Sequence, residues 1–226
     1  DNYYNPLGPC GSPNRLPDSV IGTNVPCSGL ELEVDNYRYA QVPRIVDVEG
    51  DTYRIVAGLR GTAGDWDWEG AITWNKAERE DITRNRISNN LLQEALNDPT
   101  PAAFNPFGGR GATNIERVLI DVTRKNEQTL KMIDFKASNA NIFELPAGPV
   151  GMVAGVEFRT EAFVDDRDPR LDGTIRFTDN SGNTFPYVAD VVNSSPSEDS
   201  RGDRDVTSLF AELAIPVLSN LDVQLA

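Results

Sequence analysis

The chain has 226 residues, a net charge of −14 and no histidine. It is long enough to bury a sizeable core, but its charge disfavours nucleic acid, whose phosphates need Lys and Arg. The missing histidine removes Ser-His-Asp and Cys-His catalysis, the HExxH zinc site and any histidine pH switch.

Residues 1–44 read as a loop that holds both cysteines, Cys10 in "GPCGSPN" and Cys27 in "NVPCSGL". Two thiols in one Gly/Pro/Ser/Asn-rich loop, with none elsewhere, predict a disulfide made in an oxidising compartment. Without histidine they fall short of a zinc site. The opening at Asp1, with no signal peptide, reads as a start inside a longer or processed protein.

From residue 45 the dominant signal is alternation of period two. In the first expected hairpin, 45–82, Tyr53, Ile55, Ala57 and Leu59 oppose Arg54, Gly58 and Arg60. After the turn "TAGD", Trp66, Trp68, Ile72 and Trp74 oppose Asp67, Glu69, Thr73 and Asn75. The stretch 83–122 is expected to be a long loop. Within it "ISNNLLQEALN" (87–97) sets Ile87, Leu91, Leu92 and Ala95 on one face of a short amphipathic helix.

A second hairpin is expected over 123–163, turning at "PAGP". Ile133, Phe135, Ala137, Phe143 and Leu145 oppose Asp134, Lys136, Ser138 and Glu144 on its first strand. On its second, Val150, Met152, Ala154, Val156 and Phe158 oppose Gly151, Gly155, Glu157, Arg159 and Glu161. A further long loop covers 164–203. Its "DDRDPRLDG" gathers Asp165, Asp166, Asp168 and Asp172, hard oxygen donors that could hold Ca2+, although the spacing is not an EF-hand and acidic loops are commonly just solvated. No other cofactor is expected. The "RGD" at 201–203 is a three-letter match without further support. The last segment, 204–226, sets Leu209, Ala211, Leu213 and Ile215 against Ser208, Glu212 and Ala214, and stops just after a further strand begins. Val56, Val153 and Phe210 break the pattern on the polar face, and Asn139 and Asn141 on the apolar one.

These elements predict an all-β chain, an antiparallel up-and-down meander of about six long strands with long loops, one containing a short helix. Ordinary strands run about 5–6 residues, whereas a tilted strand crossing a bilayer needs about 9–11. Short turns at one end and long loops at the other match a partial transmembrane β-barrel. Long structureless loops argue against a compact soluble domain. Periodicity alone fits a half-buried strand on a soluble core equally well. In the barrel reading Trp66, Trp68 and Trp74 face lipid, the first two at the interface beside the short turn. The acids face water in the lumen, so pairs such as Asp67 and Glu69 do not call for catalysis, and no enzyme is expected. Ligand contacts are expected in loops 83–122 and 164–203 and at rim positions Asn75, Glu161 and Arg204.

Particular stretches carry a family likeness. "DTYRIVAGLRGTAGDWDWEGAITW" (51–74) resembles a strand–turn–strand unit of TonB-dependent outer-membrane receptors. "FELPAGPVGMVAGVEFRTEAF" (143–163) and "DVTSLFAELAIPVLSNLDVQLA" (205–226) are similar to further units of that family. "YYNPLG" and "FNPFGG" (104–109) resemble its loop segments. The resemblance spans nearly the whole chain, in order. It implies a barrel of about 22 strands around a plug, in lipid of the outer membrane of a Gram-negative bacterium. Such a barrel imports a scarce small-molecule nutrient (metal chelate, vitamin or glycan), energised by a TonB-type protein. This chain departs from that pattern: about six strands, no plug and no TonB-binding segment suggest a middle piece, which would meet TonB only through the missing plug region. The competing expectation is a secreted or surface β-sandwich that binds carbohydrate, with its tryptophan face in a core or stacked on sugar.

Overall fold

A computed structural model describes residues 1–34, 37–109, 111 and 113–226. Six strands form one open antiparallel sheet in the order β1-β2-β3-β4-β5-β6, so each strand pairs with its sequence neighbours. They are β1 (Ile45–Ala63), β2 (Trp66–Ile87), β3 (Leu119–Leu145), β4 (Gly148–Arg167), β5 (Ser200–Leu218) and β6 (Leu221–Leu225). The fold is therefore the expected all-β meander. A one-turn helix α1 (Asp18–Ile21), the helix α2 (Asn89–Leu96) and a 3-10 turn at Ile115–Arg117 lie in the connections. The described strands make a single sheet, without the second layer a sandwich would stack on it.

The turns are tighter than the sequence suggested. Gly64–Asp65, Pro146–Ala147 and Ser219–Asn220 each join two strands. Gly64 adopts φ 62°, a left-handed conformation that glycine takes without steric cost. At their other ends the strands outrun the apolar alternation: β2 continues to Ile87, and β3 begins at Leu119. Charge pairing holds these polar extensions. Lys76 Nζ lies 3.1 Å from Glu127 and Lys125 Nζ 3.5 Å from Glu80. The Arg84 guanidinium reaches Asp47 at 2.6 Å and Asp121 at 2.9 Å. Opposite charges across a ladder stabilise it without a hydrophobic period.

The chain folds as two compact units. The loop unit comprises Asp1–Val48, Asp81–Arg124 and Arg167–Asp199; the sheet unit comprises Glu49–Glu80, Lys125–Asp166 and Ser200–Ala226. The loop unit has a core of Ile87, Ala95, Phe104, Ile115 and Val118, against which Leu91, Leu92 and Leu96 of α2 pack. Helix α2 thus buries the face its spacing predicted. Tyr37 and Tyr39 close over Phe104, with Tyr37 at a ring distance of 5.6 Å. Cys10 and Cys27 are joined by a disulfide, their Cα atoms 4.8 Å apart.

The sheet unit is built differently. Among its described hydrophobic residues only Val150 is buried. Leu59 and Leu209 are 76% and 80% exposed, and Ile55, Ile72, Ile133, Phe135 and Phe158 are exposed as well. Trp68 stacks on Phe135, ring centroids 6.4 Å apart, which puts the apolar residues of β2 and β3 on one face. Register continues that face into β4 and β5, pairing Met152 with Leu213, Ala154 with Ala211 and Val156 with Leu209.

Candidate functional site

The polar face of the sheet unit carries the candidate site. Alternation assigns Asp67, Glu69, Thr73 and Asn75 of β2 to it. The contact of Lys136 with Glu69 at 3.4 Å marks the same face on β3. On β4 and β5 the register sets Glu161 opposite Arg204 and Phe163 opposite Gly202. Arg204 Nε donates to Glu161 Oε2 at 2.6 Å. Arg159 lies 3.0 Å from Glu157 and 3.1 Å from Glu161, so a charged ladder runs along the strand.

Asn75, Glu161 and Arg204, expected at the rim, line one cavity of about 600 Å³. Gln128, Phe163 and Gly202 line it with them. Three strands distant in sequence thus bring the three residues together. Gln128 and Phe163 were missed because nothing in a single strand's pattern distinguishes them from other polar-face or exposed positions.

The tryptophans follow the apolar face. Trp66 begins β2 beside the Gly64–Asp65 turn and is 38% exposed. Trp68 covers Gly61 of β1, where a Cβ would come within 2.8 Å of the indole. Trp74 lines a second cavity of about 570 Å³ with Ile55, Ile72, Ile133 and Phe158. One exception to the alternation also finds its reason. Phe210 sits on the polar face because its partner is Gly155; a Cβ there would lie 2.4 Å from the ring.

The acidic loop does not gather its carboxylates around a point. Asp168 is buried and accepts backbone N–H bonds from Thr123 and Arg170, both at 2.9 Å. Asp172 accepts one from Thr174 at 2.7 Å. Asp165 stands opposite Ser200 in the β4–β5 ladder, and Asp166 is exposed. Among the described residues no group of three or more acidic or cysteine side chains is placed to hold a metal ion.

A polar cluster in the loop unit was not anticipated. Asp190 is fully buried and accepts from Ser88 Oγ at 2.9 Å and from the Asn90 backbone N–H at 2.7 Å. Arg170 Nη1 donates to its other oxygen. Ser88 also caps α2, accepting from Leu91 N–H. Elsewhere in the loop unit, Asp98 accepts from Thr100 Oγ at 2.7 Å and from Arg117 at 2.6 Å. The Thr100 hydroxyl first, and then Arg117, hold its carboxyl down at about 2. Burial, helped by Tyr37, pushes the Tyr39 phenol up to about 12.

No family model matches the chain, and no curated protein or solved structure matches it significantly.

Proposed function

We propose that the chain is part of the β-barrel of a TonB-dependent outer-membrane receptor, which captures a scarce nutrient with its loops and passes it along a polar lumen. One observation carries the reading. The sheet unit exposes large aliphatic and aromatic side chains along one face and buries almost none of them. Water penalises such a face at about 25 cal/mol per Å², and soluble monomers seldom expose apolar patches beyond a few hundred Å². Lipid removes that penalty, and the opposite face is charged, as a barrel's lumen is.

Support also comes from the alternation of two-residue turns with long folded connections along the meander, and from strands of 19 to 27 residues for β1 to β5. That exceeds the roughly 9–11 residues a tilted strand needs to cross a bilayer. The open edges β1 and β6 are where further strands of a barrel would pair. In this reading the outer membrane of a Gram-negative bacterium is the location, and a TonB-type protein acts through a plug that is not among these elements.

The test is to fold the chain with vesicles whose lipids are brominated in the acyl chains. Trp66, Trp68 and Trp74 on the apolar face should lose most of their emission. A chain that stays monodisperse without detergent, with unquenched tryptophan, overturns the proposal.

A further inference from the structure

We infer that the cavity lined by Asn75, Gln128, Glu161, Phe163 and Arg204 is a saccharide subsite, shaped for a neutral, hydroxyl-rich ligand. The inference rests on the receptor reading, in which this face lines the nutrient's route, and it narrows the nutrient to one class.

Size comes first. About 600 Å³ lies inside the 300–1,000 Å³ range of small-molecule sites, enough for one or two sugar rings. The chemistry of the lining follows. Phe163, 47% exposed, offers a flat apolar surface of the kind that stacks on the C–H face of a pyranose. Its position is set by the neighbouring strand: a Cβ at Gly202 would sit 3.0 Å from the Phe163 ring, so the ring lies over bare backbone. Asn75 and Gln128 each present a donor and an acceptor, the same duality as a sugar hydroxyl. Neither amide has a hydrogen-bond partner among the described residues.

Charge then separates the candidate classes. The cation of the cavity, Arg204, is already paired with Glu161 at 2.6 Å. Asp203, which also lines the cavity, pairs with Ala162 in the register and turns its carboxylate to the opposite face, so the paired Glu161 and Arg204 leave the cavity close to neutral. An anionic metal chelate would find no unpaired cation there and would approach a chain of net charge −14. A neutral saccharide has no such barrier. The fixed Glu161–Arg204 pair offers it an acceptor and a donor side by side, the groups that bridge vicinal hydroxyls.

The experiment is calorimetric titration of the full chain in detergent micelles. The probes are neutral hexasaccharides of glucose, xylose, mannose, galactose and N-acetylglucosamine, with ferric citrate as the anionic alternative. At least one hexasaccharide should bind. Phe163→Ala should weaken it about tenfold or more, roughly the loss of one aromatic platform. Gln128→Ala, a change on the polar face, should weaken it about threefold to tenfold while the strand circular dichroism is unchanged. Ferric citrate binding more tightly than every sugar, or sugar binding indifferent to both substitutions, overturns the subsite. So does the absence of sugar binding by a chain that inserts into vesicles, an outcome that leaves the receptor reading intact. Sugar binding lost in both variants by a chain that remains monodisperse without detergent has the opposite meaning: the subsite stands and the receptor reading falls.

Discussion

Truncating Asp190 to alanine strands the Arg170 guanidinium and removes the acceptor that Ser88 and the Asn90 amide share. Breaking a buried, hydrogen-bonded charge costs about 3–5 kcal/mol, reduced here to roughly 2–3 because Arg170 is partly solvated. The measurable result is faster proteolysis within 168–199, with Asp190→Asn recovering part of the protection. Acid should act at Asp98. Its carboxyl is held down at about 2, below its ordinary 3.8, so the stability it gives is complete above that ordinary value and is lost as the pH falls from about 4 towards 2. Hydrogen exchange over 98–117 should rise through that window and lose the dependence in Asp98→Asn. The start of α2 was placed too early, at Ile87, although a serine three residues before Leu91 is an N-cap signal and Ser88 is where the helix is capped. Asp190 was not legible, because its partner lies 102 residues away, and one chain's periodicity contains no information on which loop will fold against which.

Strands were the most legible elements, and their ends the least. Alternation revealed the apolar centres of β1 to β5, where each second side chain meets the same surroundings. It faded over 76–87, "KAEREDITRNRI", where cross-strand ion pairs replace apolar contacts. The exceptions were visible in sequence but their reasons were not. Phe210 fits the polar face only through the absence of a side chain at Gly155, on the adjoining strand. Gly155→Ala should therefore cost about 1–3 kcal/mol, as overpacking does, measured from the urea midpoint in micelles. Phe210→Ala should restore part of that loss. Recovery would be incomplete, since the same Cβ also meets the Phe135 carbonyl oxygen at 2.9 Å. The candidate cavity was half legible. Asn75, Glu161 and Arg204 stood out as polar residues near strand ends, while Gln128 and Phe163 joined them only through the lateral order of the sheet.

At the scale of the whole molecule the two units differ in where their apolar side chains lie. The loop unit has its own apolar core and a disulfide; the sheet unit exposes its apolar face. Reducing Cys10–Cys27, which lie 17 residues apart, should remove about 3 kcal/mol in the chain-entropy model. The loss should register in proteolysis of residues 1–34 and leave strand circular dichroism in micelles unchanged. The loop unit has a further consequence, for heredity. It is knitted from Asp1–Val48, Asp81–Arg124 and Arg167–Asp199, and the bridge of Ser88 to Val191 and the Asp190 cluster tie the second segment to the third. Recombination that swapped only the second or only the third segment for a foreign one would bring an Asp190 without its Ser88, or the reverse. Variation in these two segments should therefore arise by their joint replacement, or by point changes that spare the ties, so that they travel between lineages as a block.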